Sequence, residues 1–184
     1  MVKILEMLKT VKMPKMLEIS YHRFAILTFM ACLAAILFAL YLENFQGLEP
    51  CPLCMLQRVA VIWIGFFALI ALIPVRSPYS LFCHYFYTIL MFFGSMSGLL
   101  LAGRQLWLQH LPPELTPSCG PDIVFLLEHV PLLKALKQIL SGTGECAVVD
   151  GVFLGISLAG WSALFFAGGC LWIIYGILCV KKLR

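Results

Sequence analysis

Residues 50–75 read PCPLCMLQRVAVIWIGFFALIALIPV, a Cys-x-x-Cys motif followed, after Arg58, by 17 uncharged residues at 59–75. A helix needs about 20 mostly apolar residues to cross the hydrocarbon core of a bilayer. Proline is favoured at the first position of a helix, so Pro52 predicts a helix start with Cys51 as its N-cap. The stretch therefore predicts a transmembrane helix that opens with two cysteines near the membrane surface.

Uncharged runs lie on both sides of this one, at residues 24–42, 81–103 and 152–180. Of the 184 residues, 62% are hydrophobic and only 12% are charged, which is too few charges to cover a water-facing surface. This composition excludes a soluble globular domain, a disordered chain and a nucleic-acid-binding protein. We expect an all-α membrane protein, a single domain with a four-helix transmembrane bundle. The expected spans are about 24–42, 55–75, 81–103 and 158–180, with outer loops at 43–54 and 104–157.

The first run could also be a signal peptide, and the last run is too long for a simple crossing. The 19 apolar residues at 24–42 exceed the roughly 7 to 15 of a signal peptide, and no small-x-small cleavage site follows, so we expect a retained span. The run 152–180 is longer than a straight crossing needs, and we expect its first turns, around Gly155, to lie at the interface. Residues 1–20 mix lysines with apolar side chains and predict either an amphipathic helix on the inner leaflet or a solvated basic tail.

The basic residues predict the orientation of the spans, because Lys and Arg in short flanking segments favour the cytoplasmic side. Nine of the 13 Lys and Arg fall in the two termini and the turn after the second run, and four fall in the segments 43–58 and 104–151. Those two segments also carry seven of the nine acids. Both termini are therefore expected in the cytoplasm, with the two loops outside.

The eight cysteines divide between the spans and the outer loops. Four lie inside the runs and are expected to be small buried hydrophobic residues: Cys32, Cys83, Cys170 and Cys179. The other four lie in the outer segments, where disulfides form and persist: Cys51, Cys54, Cys119 and Cys146. These outer cysteines are expected to be the redox-active ones, and they allow three pairings.

The Cys-x-x-Cys motif at the helix start predicts a reactive thiol. Unpaired backbone N–H groups at a helix N-terminus stabilise a thiolate, and the motif itself favours one. Arg58 follows Cys54 by four residues, which places both side chains on one helix face where the helix enters the membrane. A charge at that depth is expected to be used or paired, and an Arg that extends to the lipid headgroups is the alternative. A zinc site would need two further ligands, for which Cys119, Cys146 and His110 are candidates, but their spacing lacks a second metal-binding motif.

The long outer loop carries Cys119 and Cys146 near its two ends, each among turn-forming residues. Apolar residues at helical spacing over 126–140 predict a short helix, which either lies on the membrane surface or packs against the outer ends of the bundle. Ahead of Cys119, the segment 103–113 is expected to turn at the outer interface. Taken alone, His110 in this segment is more typical of an interfacial histidine than of a ligand contact.

Together these motifs resemble the DsbB family of bacterial inner-membrane disulfide bond formation proteins. The resemblance covers roughly residues 20–180 and rests on four outer cysteines in this order on a four-span frame. The matching segments are Cys51 to Arg58, Gly103-Arg104-Gln105-Leu106 to His110, Thr116-Pro117-Ser118-Cys119, Gly144-Glu145-Cys146, and Leu154-Gly155 to Trp161. Members of this family use a membrane quinone to reoxidise DsbA, a periplasmic oxidant with a thioredoxin-like fold.

The resemblance implies a role for each outer cysteine. Cys119 and Cys146 would form the loop disulfide that a DsbA-type oxidant attacks, with the mixed disulfide at Cys119. Electrons would then pass by thiol exchange to Cys51 and Cys54. The protein implied is a quinone-dependent thiol oxidase of the bacterial inner membrane, with its redox loops in the periplasm.

The resemblance also implies a quinone site, for ubiquinone or menaquinone. Cys54 would meet the quinone ring, and Arg58 would stabilise the thiolate and the reduced quinone, since its charge persists at any pH. His110 matches a family position near the quinone. Gln57 departs from the family, because the type member has a carboxylate there.

Other functions remain open at this point. The segment 110–119 is a few residues shorter than in the family and the basic amino-terminal extension is unusual, which would suit a paralogue dedicated to one oxidant. Vitamin K epoxide reductases are also four-span thiol and quinone proteins, but their quinone-side motif follows the loop cysteines, whereas here it precedes them. A metal-binding or structural membrane protein with inert outer cysteines is the remaining alternative.

Overall fold

The computed structural model describes residues 15–47, 50–73, 80–112 and 151–182, together with 130–131, 133–134, 139–140, 142 and 144–147 of the outer loop. Most of these residues form four helices: α1 (Lys15–Gln46), α2 (Pro52–Ala71), α3 (Ser80–Gln109) and α4 (Leu158–Lys182). Each helix contains a segment long and apolar enough to cross a membrane. The prediction of an all-α membrane protein with a four-helix bundle is confirmed.

The helices pack largely in chain order. α2 packs against α1 and α3, and α3 packs against α4, whereas α1 and α4 touch only sparsely. The buried core contains Ala25, Ala68, Met91, Phe166 and Ile173. Large apolar side chains are exposed on the outer faces, among them Phe38, Phe66, Phe93, Leu100 and Leu171. Lipid tails are as apolar as these side chains, so such faces suit a bilayer and not water.

Small residues let α3 and α4 approach closely. A Cβ atom added at Gly98 would lie 2.2 Å from Cε1 of Phe166, so only glycine leaves room for that ring. One turn earlier, the Ser95 hydroxyl donates to the backbone oxygen of Phe166 at 2.9 Å. Small residues and buried hydroxyls of this kind are typical contacts between membrane helices.

The third helix is longer than predicted. A turn was expected from residue 103, but α3 continues to Gln109. Gln105 and Leu108 lie on its buried face, and their contacts with the outer loop and α2 extend the helix beyond the apolar run. The turn prediction was therefore wrong for residues 103–109, and Gln105 lies in the last two turns of α3.

The beginning of the last apolar run is not helical. Residues 152–157, which the prediction placed in the outer loop with the turns around Gly155 at the interface, form an antiparallel hairpin of β1 (Val152–Phe153) and β2 (Ile156–Ser157). Its two turn residues, Leu154 and Gly155, have φ of 54° and 80°. Positive φ at both central positions is typical of tight hairpin turns. The helix proper begins afterwards, at Leu158.

Some predictions fall on residues outside the described ranges. These are the amino-terminal segment 1–14, the inner turn at 74–79 and most of the outer loop, including Cys119. Of the helix predicted over 126–140, residues 133–134 and 139–140 are helical, and most of the remainder lies outside the described residues. The predicted amphipathic segment and loop helix therefore stay predictions.

Candidate functional site

The site is built on the N-terminus of α2. Cys51 is its N-cap, with an extended backbone, and Pro52 follows at the first helical position, as the sequence predicted. The sulfur of Cys51 accepts a hydrogen bond from the backbone N–H of Cys54 at 3.3 Å. The two sulfurs lie 2.7 Å apart. Both therefore sit at the positive end of a helix, where backbone N–H groups favour negative charge.

A third cysteine reaches this pair from the outer loop. Cys146 belongs to a short 3-10 helix, Gly144–Ala147, and is completely buried against Cys51, Leu53 and Leu108. Its side chain is hydrogen-bonded to that of Cys51. The structure thus brings together three of the four predicted redox cysteines, while Cys119 lies outside the described residues.

The central position of Cys51 changes its acidity. The pKa of its thiol is raised, first by the hydrogen bond to Cys146, then by that to Cys54 and by burial. A raised pKa keeps Cys51 protonated at neutral pH, so its S–H is the donor to the sulfurs beside it. Negative charge in the reduced cluster is therefore favoured on a neighbour of Cys51 and not on Cys51 itself.

Two buried glutamines lie against the cysteine pair. The side-chain N–H group of Gln105 lies 3.4 Å from the Cys51 sulfur and 3.2 Å from the Cys54 sulfur. Gln57 donates to the side-chain oxygen of Gln105 at 2.8 Å. Neither glutamine was predicted from the sequence to be part of the site. A signal existed for Gln105, which interrupts a buried apolar repeat at Gly98, Ala102 and Leu108.

Arg58 is paired with a carboxylate. Its Nη1 atom lies 2.5 Å from Oε2 of Glu43, near the end of α1. The two side chains are partly exposed, at 23% and 35% of their area. Glu43 was not predicted from the sequence to be part of the site. Position 57 lacks the carboxylate of the family's type member, and the structure places a carboxylate beside Arg58 from a different helix.

Cys54 borders a cavity of about 530 Å³ among α1, α2 and α4. Cys54, Gln57, Arg58, Glu43 and Gln105 line its polar end. Its walls are otherwise apolar, with Ala35, Val61, Phe153, Trp161 and Phe165 among the lining residues. The Trp161 indole N–H donates to the backbone oxygen of Phe153 at 2.9 Å, which ties the hairpin to α4 beside the cavity. The arrangement offers a thiol, a cation and two amides to an apolar ligand with polar edges.

His110 lies apart from this cavity in the structure. Its ring nitrogen Nδ1 is 2.7 Å from the backbone oxygen of Leu106, in the last turn of α3 just before it, and the side chain is exposed. It is not among the residues that line the cavity. A role for His110 near a ligand therefore stays a prediction that rests on the resemblance.

Metal ligation finds no support in the described part of the chain. Among those residues, no group of three or more His, Cys, Asp or Glu side chains is placed to hold a metal ion. Cys146, one of the candidate ligands, instead packs against Cys51. Cys119, another candidate, lies outside the described ranges.

Comparison with known proteins points to one family. Residues 21–176 match the family model described as "Disulfide bond formation protein DsbB". A Disulfide bond formation protein B from Acinetobacter baumannii is 43% identical over 169 residues, which are 90% of this chain and 98% of the relative. The proteins of the same name from Marinobacter nauticus and Chromobacterium violaceum are 42% and 40% identical over 156 and 161 residues. These matches cover 85% and 86% of this chain, and 89% and 94% of the relatives.

Proposed function

The chain belongs to the DsbB family of disulfide bond formation proteins, and on that premise we propose that it oxidises a periplasmic DsbA-type dithiol protein and passes the electrons to a membrane quinone. Membership makes it a multi-pass membrane oxidoreductase of disulfide formation. The observation that carries the finer proposal is the position of Cys51, which contacts Cys146 on one side and Cys54 on the other. Cys51 thereby links Cys146 of the outer loop to Cys54, which lines the cavity.

The relay starts at the loop disulfide. A thiolate of the partner attacks Cys119 of a Cys119–Cys146 disulfide, and Cys146 leaves as a thiolate. The second thiol of the partner then resolves the mixed disulfide at Cys119. Counted from its dithiol form, the partner has lost two electrons and two protons, and Cys119 and Cys146 hold both electrons as reduced sulfurs.

The second exchange uses the contact between Cys146 and Cys51. The Cys146 thiolate attacks Cys51 of a Cys51–Cys54 disulfide, so that the Cys146–Cys51 bond forms and Cys54 leaves as a thiolate at the cavity. Cys119 then attacks Cys146, restores the loop disulfide and releases Cys51. In this state the hydrogen bond to Cys54 and burial still raise the pKa of the Cys51 thiol, so we expect the proton on Cys51 and the charge on Cys54.

The cavity has features that suit a quinone. A quinone ring is flat and apolar with two oxygens at its edges, and it accepts two electrons and two protons. Cys54 lines the cavity together with Arg58 and Gln105 at the polar end, and apolar walls continue from there. The Cys54 thiolate and the Cys51 thiol together lose two electrons and one proton as their disulfide reforms, and solvent supplies the second proton.

The proposed location is the bacterial inner membrane, with both termini in the cytoplasm and the cysteines on the periplasmic side. The distribution of Lys and Arg supports this orientation. The site residues come from the end of α1, the start of α2 and the end of α3, so they share one end of the bundle. A disulfide relay at that end requires an oxidising compartment.

The test uses the full-length protein in detergent, with a reduced DsbA-type protein and a soluble ubiquinone. Quinone absorbance and free thiols of the partner are followed together, and the same assay is run with a menaquinone. We expect one quinone lost for each partner disulfide formed. Quinone that stays oxidised while the partner also stays reduced, with bound metal in the sample, would overturn the proposal in favour of a metal-binding protein. Activity with only one of several DsbA-type partners would identify a dedicated paralogue.

Replacing Arg58 by alanine is expected to raise the quinone concentration needed for half-maximal turnover by about 10- to 100-fold, because a charge-assisted hydrogen bond contributes about 1.5–3 kcal/mol. Arg58→Lys should recover part of this loss, since it keeps the charge but not the planar fork. Arg23→Ala removes an exposed arginine of α1 that lies outside the cavity and serves as the control. An unchanged quinone dependence in Arg58→Ala would remove Arg58 from the site.

A further inference from the structure

We infer that Gln105 is a further catalytic residue of this site, whose amide group stabilises negative charge on the Cys51 and Cys54 sulfurs during thiol exchange. The inference rests on the proposed thiol oxidase function. The supporting geometry is that Nε2 of Gln105 lies 3.4 Å from the Cys51 sulfur and 3.2 Å from the Cys54 sulfur. Both distances are within hydrogen-bonding range for sulfur.

Burial strengthens the hydrogen bonds between Gln105 and the two sulfurs. Gln105 is 5% exposed and Gln57 is 7% exposed, so water competes little for their amide groups. Hydrogen bonds to a charged acceptor are stronger in such surroundings than in water. Apart from the cysteines themselves, Gln105 is the side chain in the described part of the chain that donates to these sulfurs. Arg58, the nearby cation, is engaged with Glu43.

Gln57 orients the amide of Gln105. A glutamine can present either its oxygen or its nitrogen to a sulfur, and only the nitrogen carries N–H donors. Gln57 donates to the Gln105 oxygen at 2.8 Å, and the same oxygen lies 3.6 Å from the Cys54 sulfur, where it can accept from the thiol form. The bond from Gln57 occupies this oxygen, and the side-chain nitrogen makes the shorter contacts, 3.4 Å to Cys51 and 3.2 Å to Cys54. Gln57 is therefore a positioning residue. A carboxylate at position 57 could donate the same hydrogen bond to Gln105 only if it were protonated.

The chemistry needs a donor that reaches both sulfurs. When the Cys146 thiolate attacks Cys51, the Cys51–Cys54 bond breaks, the Cys146–Cys51 bond forms and the electron pair stays on Cys54. When Cys119 later attacks Cys146, the electron pair stays on Cys51 instead. No proton moves in either displacement. The Gln105 amide lies within hydrogen-bonding distance of the leaving sulfur in both steps. Because the amide is neutral, its hydrogen bond can stabilise the negative charge on either sulfur as the charge moves between them.

The test is alkylation of reduced, quinone-free protein with iodoacetamide. The peptide that contains Cys54 is quantified by mass spectrometry across a pH series. Thiolates react and thiols do not, so the rate at neutral pH reports charge on that sulfur. Gln105→Leu should slow alkylation of Cys54 about tenfold, because one hydrogen bond to an ionised group is lost. Gln105→Glu should slow it further, since a carboxylate repels the thiolate.

Two more variants keep the result interpretable if Gln105→Leu fails to fold. Gln105→Asn keeps an amide and should recover part of the rate, and Gln57→Leu leaves Gln105 in place but unoriented and should slow alkylation severalfold. The control is Gln109→Leu, one turn further along α3, where Gln109 accepts a hydrogen bond from Ser157 and touches neither sulfur. Its alkylation rate should match that of the unaltered protein.

The inference fails if folded Gln105→Leu or folded Gln57→Leu alkylates at the unaltered rate. It also fails if Gln109→Leu shows the same loss, because the effect would then be a general loosening of α3. Alkylation requires neither quinone nor a partner protein. Absence of quinone reduction in the unaltered protein would therefore overturn the proposed function, while the alkylation rates would still decide the contact between Gln105 and the sulfurs.

Discussion

Replacing Cys54 by serine is expected to abolish quinone reduction, with a loss of about a thousandfold or more in turnover. Cys54 is the cysteine that lines the cavity, where it lies beside Arg58 and Gln105. Serine keeps the shape of the side chain, but its hydroxyl neither forms a disulfide nor exists as an anion at neutral pH. Without Cys54 there is no Cys51–Cys54 disulfide for the Cys146 thiolate to reduce, so electrons from the partner cannot reach the cavity. The measurement is quinone absorbance in the presence of excess reduced partner.

The matched control for Cys54→Ser is Cys170→Ser. Cys170 is buried within α4 and lies outside the cavity, whereas Cys54 is half-buried and lines it. The same atom exchange there should leave quinone turnover unchanged, which separates loss of the thiol from the general cost of a buried hydroxyl. Turnover that persists in Cys54→Ser would contradict the relay, since another sulfur would then have to donate to the acceptor.

Replacing Cys146 by serine is expected to separate the two halves of the reaction. Oxidation of the DsbA-type partner should fall to background, again about a thousandfold or more, because the loop cysteine that contacts Cys51 is gone. The Cys51–Cys54 pair and the cavity remain. A small dithiol such as dithiothreitol, which reduces that pair directly, should therefore still drive quinone reduction. The two assays are run on one preparation.

Two results with Cys146→Ser would contradict this expectation. If the partner is still oxidised, it must reach Cys51 without the loop, and the contact between Cys146 and Cys51 would have no part in the relay. Loss of quinone reduction with the small dithiol as well would mean that the serine disturbs the cavity side of the site. Cys119→Ser is expected to behave like Cys146→Ser, with partner oxidation blocked and the quinone site intact.

The sequence was sufficient for the parts of the protein that depend on local chemistry. Apolar run length predicted four membrane helices, because crossing a bilayer imposes a length on every span. Pro52 predicted the start of α2 and the capping position of Cys51, since a proline at the first turn acts within a few residues. The order of the outer cysteines along the four-span chain indicated the family.

Local patterns were misleading where tertiary contacts decide the structure. The polar residues after Gly103 indicated a turn, yet α3 continues because Gln105 and Leu108 pack at the thiol cluster. The residues at 152–157 continue the last apolar run, and nothing in their local pattern predicted the hairpin in which Leu154 and Gly155 adopt positive φ. In both cases the local residue types were compatible with either outcome.

What the sequence determined by itself was the membrane bundle, the helix that presents Cys51 and Cys54, and the set of four cysteines outside the spans. What only the tertiary structure decided was the surroundings of those cysteines: Cys146 against Cys51, Gln105 against both sulfurs, and Glu43 beside Arg58. The physical reason is distance along the chain. Gln105 is separated from Cys51 by 54 residues and Glu43 from Arg58 by 15, so their meeting depends on how the helices pack and not on any periodicity within one of them.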